Sequence, residues 1–198
     1  MQIEINNVLE ILDQWTKTWL VHFNTKNTKA LIISNNTNIP ELNILFNDKS
    51  VAFADNHTHL GVTLASDGNW TVHIENIATS ALKKKQVNVL RKLKFTLSKQ
   101  ALSNIYLTFI RPVLEYAYEV WDGCCERDIE KLEKIKLEAA RIVTCLTKFA
   151  SKDSLYFETG WETLANRRET RKLTTFYKIH NKLCPPYLFN CYNYIRCK

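Results

Sequence analysis

Between Glu75 and Glu115 the chain carries no acidic residue, yet Lys83, Lys84, Lys85, Arg91, Lys92, Lys94, Lys99 and Arg111 all fall in that interval. Lysine and arginine are the side chains that meet phosphate oxygens, lysine as a mobile point charge and arginine as a planar fork of donors. These eight positive charges exceed the net charge of the whole chain, +7 from 27 basic and 20 acidic residues, so the remainder is close to neutral. Such a surplus selects a polyanionic partner without separating RNA, DNA and anionic lipid. Tyr106, Tyr116, Tyr118 and Trp121 follow directly and have faces on which bases could stack, but their helical spacing places most of them in a core.

Other chemistry-bearing residues are less organised. Phe53-Ala54-Asp55-Asn56 contains a lone carboxylate where a two-metal site needs several, and no Asp-Asp pair occurs anywhere in the chain. Asp55 therefore reads as a strand end beside a loop. His180, Cys184, Cys191 and Cys197 are of the right types for zinc, but their spacing matches no familiar pattern and there is no C-x-x-C. Cys124, Cys125 and Cys145 read as small apolar fillers. Neither a catalytic residue nor a metal ligand is assigned.

The elements that must position the basic interval are mostly helices. Val8, Leu12, Trp15 and Trp19 recur at steps of four, three and four, which predicts an amphipathic helix over the first twenty residues. Short strands are then expected at Ala30 to Ser34, Leu42 to Phe46, Ser50 to Ala54 and His59 to Leu64. Trp70, Ile74, Ile77 and Ala81 start one long helix running through Leu90, Leu93 and Leu97, with Ser98 capping the next. In that next helix Leu102, Ile105, Phe109, Val113, Tyr116 and Val120 form the apolar face, and Pro112 should kink or break it. Glu126 to Phe149 and Glu162 to Leu183 complete the helices, the former with a favourable Glu130–Lys134 pair. The fold class is α+β: an incomplete helix-plus-strands unit over residues 1–69, then a mainly α-helical region over 70–198.

Four glycines, four prolines and 45% hydrophobic residues suit such a chain, which has enough apolar material for a real core. The N-terminus lacks a signal-peptide layout, and no apolar run approaches the roughly 18 residues of a membrane span. The expectation is an intracellular chain, in cytoplasm or nucleus, with no membrane partner.

The order of several short motifs then resembles one protein family along nearly the whole chain. Trp15 and Trp19, Phe23-Asn24-Thr25-Lys26-Asn27-Thr28 leading into Ala30 to Ser34, His59-Leu60-Gly61-Val62 and Ser66 to Trp70 occur in that order. Val89 to Lys94, Phe109 to Asp122 (FIRPVLEYAYEVWD), Leu137 to Thr144 and Trp161 to Leu173 follow. Together they resemble the reverse transcriptases of LINE-like (non-LTR) retrotransposons, from the end of the palm through the thumb. The resemblance implies a palm remnant over 1–69 and a thumb and post-thumb region over 70–198. It also implies that His59, Leu60 and Gly61 form a primer-grip-like turn, and that Lys83, Lys84, Lys85, Arg91, Lys92, Lys94 and Lys99 contact the backbone of an RNA/DNA hybrid or duplex.

The departures from the family are chemical. The parent enzymes use Mg2+ held by a Y/F-A-D-D turn, which is absent, and the lysine of the F-N-x-x-K-T motif is replaced by Asn27. The expectation is a truncated, reverse transcriptase-like protein that needs no cofactor, does not polymerise on its own and at most binds nucleic-acid backbone. Two alternatives stay open: a domesticated helical protein-interaction module, and part of an RNA-directed DNA polymerase working with a palm supplied in trans by the missing upstream segment.

Overall fold

A computed structural model describes residues 2–24, 27–34, 42–47, 49–83 and 86–190, with the side chains of Lys83 and Gln86 also set aside. The chain is mixed α and β, mostly helical with a few short strands. It divides into two compact units, Met1–His73 and Ile74–Lys198, and the division falls inside a helix.

In the N-terminal unit, α1 (Gln2–Trp19) packs against a small core of Ile44, Phe46 and Val51 through Ile5 and Leu9. This corrects the expected face. Val8, Leu12, Trp15 and Trp19 are the exposed side of α1, together with Ile11. The helix carries two apolar arcs, and polar side chains decide which one turns inward. Gln2 Nε2 and Asn6 Nδ2 donate to the Asn43 carbonyl at 3.0 and 3.2 Å, and Asn6 Oδ1 accepts from the Leu45 amide at 3.2 Å. Those amides fix the rotation of α1 about its axis.

The strands are shorter than their sequence runs. β1 (Lys29–Ala30) pairs in parallel with β4 (Ala52–Phe53), and β2 (Leu45–Phe46) pairs antiparallel with β3 (Lys49–Ser50). Ala30 to Ser34 was expected to be extended throughout, but a β-branched run becomes strand only where a neighbour supplies hydrogen-bond partners, and β4 is two residues long. His59 to Leu64 is likewise not one strand. It is split between β5 (Asn56–His59) and β6 (Val62–Ala65), which form a hairpin with His59 opposite Val62.

Helix α2 (Thr71–Lys83) begins in this unit, where His73 is buried and its Nδ1 accepts the Thr63 amide proton at 3.2 Å. Accepting there requires an unprotonated Nδ1, and burial accordingly lowers the His73 pKa from its ordinary value.

The C-terminal unit continues with α3 (Gln86–Leu93); of the long helix expected from Trp70 to Leu97, residues 71–83 and 86–93 are helical, and residues 84 and 85 lie outside the described set. Ser98 caps α4 (Lys99–Ile105) by accepting from the Ala101 amide at 3.3 Å. A π-helical turn then covers Tyr106–Ile110, and α5 (Arg111–Leu114) follows it. The inward residues are Leu102, Tyr106, Ile110, Leu114, Tyr118 and Trp121, each at most 1% exposed, whereas Phe109 and Val120 are more than half exposed.

The predicted stripe is therefore shifted. Buried positions four apart overrun a 3.6-residue turn, and a π turn absorbs the excess. Pro112 helps set its place. Having no N–H, it cannot donate to the preceding turn, while Arg111 donates to the Tyr106 carbonyl five residues back. The break is completed at Ala117, which takes a left-handed φ of 47° before α6 (Tyr118–Trp121).

Helices α7 (Glu126–Thr144), α8 (Lys152–Thr159) and α9 (Leu164–His180) finish the unit. The expected Glu130–Lys134 pair forms at 3.8 Å. Helix α8 was not anticipated, although Ser151, which accepts from the Ser154 amide at 3.1 Å, and Gly160 at φ 66° are standard start and stop signals. Cys125 and Cys145 are exposed and Cys124 is half-buried, so they are not the apolar fillers that composition implied.

Candidate functional site

Of the seven cations expected to contact a nucleic-acid backbone, the four whose side chains are described are not all open to a ligand. The side chains of Lys83, Lys84 and Lys85 lie outside the described residues. Arg91, on α3, donates to the Glu138 carboxylate of α7, and Lys99, at the start of α4, reaches Glu158 of α8 at 2.7 Å. Lys92 is exposed and Lys94 half-buried, and neither has a carboxylate within ion-pair distance among the described residues. An interval free of acids along the chain is thus partly neutralised in space, because α7 and α8 bring acids to it.

The primer-grip-like residues sit at a hairpin tip. Leu60 and Gly61 connect β5 to β6 with φ of 47° and 80°, the left-handed pair that a two-residue turn needs. Gly61 adopts this conformation without strain, whereas leucine does so rarely. The Leu60 side chain is 78% exposed, so the turn holds an apolar residue toward solvent on an unfavourable backbone. Below it, the Thr58 and Thr63 hydroxyls hydrogen-bond across the strands at 2.9 Å.

Asp55 is exposed between β4 and β5 and lines a cavity of about 940 Å3 with Lys29, Asn43 and Asn56. No group of three or more His, Cys, Asp or Glu side chains converges among the described residues. Cys191 and Cys197 of the cysteine tail lie outside them.

No family model, curated protein or solved structure matches this chain.

What sequence reasoning missed is how the motif-bearing segments hold one another. The Tyr106 and Trp161 rings stack with centroids 3.9 Å apart at 17°, and Trp161 Nε1 donates to Ser103 Oγ at 3.1 Å. Glu115, 7% exposed, accepts from Arg167 Nε and from Arg167 Nη2 at 3.0 Å, a bidentate fork, with Arg171 Nη1 3.9 Å away. One turn along, Arg168 lies over the Trp121 ring at 6.0 Å and Arg171 over Tyr118 at 5.4 Å. The arginines of α9 therefore grip the aromatic segment from 106 to 121 and are committed to that task.

Glu133 of α7 is a second hub. It accepts from the Tyr156 hydroxyl, from the Leu164 amide at 3.0 Å at the start of α9, and from Lys136 Nζ at 3.4 Å. Lys136 is 1% exposed, also donates to the Glu162 carbonyl, and lies 4.7 Å over the Tyr156 ring. Burial lowers its pKa from the usual ammonium value, against the pull of Glu133. The residues of both hubs are visible in the sequence only as ordinary charged side chains, and decisive partners lie far along the chain, Tyr156 23 residues from Glu133 and Arg167 52 residues from Glu115. No membrane-length apolar helix occurs among the described residues.

Proposed function

We propose that this chain is a reverse transcriptase-like protein of the non-LTR retrotransposon type that binds RNA or DNA backbone and does not polymerise by itself. The observation that carries this reading is the exposed Lys92 with Lys94 beside it, two cations at the end of α3 without carboxylate partners among the described residues. Mutual packing of the two segments that resemble thumb motifs, Phe109 to Asp122 and Trp161 to Leu173, supports it, since motifs that belong to one domain should meet. The turn at Leu60-Gly61, with leucine held outward, suits a grip on a primer strand.

Backbone binding through lysines is recognised by its salt dependence. Each phosphate contact adds about 0.9 to the slope of log affinity against log salt, so replacing Lys92 and Lys94 with glutamine should flatten it by about 2 on a hybrid duplex. An unchanged slope removes the proposal. Primer extension with magnesium should yield no product, and a product abolished by Asp55→Ala would overturn the assignment of no catalytic residue.

A second reading is favoured by the exposed face of α1, where Val8, Ile11, Leu12, Trp15 and Trp19 present a contiguous apolar stripe. That face suits a protein-interaction module, or a polymerase segment supplied in trans. A nuclease-resistant protein complex lost on Trp15→Glu would favour it over nucleic-acid binding.

A further inference from the structure

We propose that the C-terminal half of α9 docks on the surface of an anionic phospholipid bilayer, with its apolar outer face among the headgroups and its lysines beside them. The back of the helix is already used. Leu164 and Arg168 are buried and Thr175 and Ile179 half-buried, an inward strip at steps of four and seven. The outer face changes character along its length. Asn166, Glu169 and Thr170 occupy it in the first half, and Leu173, Phe176 and Tyr177, each more than half exposed, in the second. Leu183 and Tyr187, beyond the end of the helix, are more than half exposed as well. Large apolar side chains grouped in this way mark a contact surface, unlike the scattered exposure of an ordinary one.

Charge selects the partner. From Thr170 to Lys198 there is no acidic residue, while Arg171, Lys172, Lys178, Lys182, Arg196 and Lys198 are basic. Arg171 and Lys172 face Glu115 and Asp122. Lys178 and Lys182 are exposed and make no ion pair among the described residues, Lys182 resting 4.9 Å over the Phe189 ring.

A helix with leucine and phenylalanine on one face, lysines at its flanks and no acid lies in the plane of a negatively charged interface. A phosphate ladder would engage the lysines and leave Leu173 and Phe176 in water. A protein groove that wraps a helix needs the side that already faces the unit. A bilayer takes one face only, and tyrosine suits its boundary, with an apolar ring and a hydroxyl that stays wet. No described helix is long and apolar enough to cross a membrane. The expected absence of a membrane partner rested on that length, which a helix lying along a surface does not need.

The test is flotation of the whole chain with vesicles of phosphatidylcholine alone and of phosphatidylcholine with an equal part of phosphatidylserine. Binding to the mixed vesicles should be saturable and weaken as salt rises, and binding to phosphatidylcholine alone should be weaker by about tenfold or more. Lys178→Gln with Lys182→Gln should weaken it about 20-fold, roughly fivefold for each lysine near the surface. Leu173→Gln with Phe176→Gln should weaken it about 100-fold, roughly tenfold for each half-exposed side chain. Both variants should keep the far-UV circular dichroism and melting temperature of the wild type, because these side chains are exposed.

Lys92→Gln with Lys94→Gln should leave vesicle binding unchanged, which separates this face from the backbone contact proposed for α3. Equal binding to the two kinds of vesicle, binding to neither, or wild-type binding by the Leu173→Gln, Phe176→Gln protein overturns the proposal. If vesicles are ignored and that variant instead lowers the affinity for an oligonucleotide, the face belongs to nucleic acid and the lipid assignment is wrong.

Discussion

Arg167→Met tests how α9 is fastened. Methionine keeps much of the aliphatic stem and removes the fork, so Glu115, 7% exposed, loses donors from Arg167 Nε and Nη2. Removing one partner of a buried ion pair costs about 3–5 kcal/mol when nothing replaces it. Two observations reduce that figure. The Arg167 side chain is 26% exposed, so the pair is not fully desolvated, and Arg171 Nη1, 3.9 Å from Glu115, can take over part of the charge.

The expected loss is therefore about 2–3 kcal/mol for Arg167→Met. Glu115→Gln leaves behind the better solvated partner and should lose about 1–2 kcal/mol. Because the two residues act as one contact, the double variant should lose less than the sum, by about 1–2 kcal/mol. Urea unfolding read by tryptophan fluorescence and by far-UV circular dichroism measures all four proteins, and each kcal/mol corresponds to about 4 °C in melting temperature for a unit of this size. A loss below about 0.5 kcal/mol for Arg167→Met, or strict additivity in the double variant, would refute the claim that this pair joins α9 to the aromatic segment.

Two further outcomes follow from backbone geometry and from protonation. Ala117→Gly should raise stability by about 0.5–1 kcal/mol in the same urea assay, since alanine at φ 47° is strained where glycine is not; a loss would mean that the Ala117 methyl packs usefully. His73 has a folded-state pKa lowered by burial, so its neutral form is favoured by folding. Its contribution should be complete above its unfolded pKa of about 6.5 and should decline as pH falls from there toward the lowered folded value. Stability measured against pH should show this slope in the wild type, and His73→Asn, which can offer an oxygen to the Thr63 amide, should flatten it.

Period and caps made most helices legible, because those signals are local. Helices α1, α7 and α9 and the Ser98 cap are visible in the order of apolar residues and hydroxyls. What faces inward was less legible. On α1 the choice between Ile5 with Leu9 and Val8 with Trp15 depends on hydrogen bonds to Asn43 and Leu45, which no window of α1 contains. Along 102–121 the π turn moves every later residue by one position, so Phe109 and Val120 are exposed while Ile110 and Trp121 are buried. The basic interval was legible as a composition, yet Glu138 and Glu158 enter it from 47 and 59 residues away.

Those two carboxylates also bear on selectivity. A side chain that already holds Arg91 or Lys99 behaves as a tethered competitor for any anion that arrives there. An isolated anion arriving at this surface must displace it and gains little. A rigid ladder of phosphates, able to engage Lys92 and Lys94 first and then exchange with the tethered acids in succession, meets a lower threshold. On the proposed reading, such a surface would favour a multivalent phosphate ladder over monovalent anions.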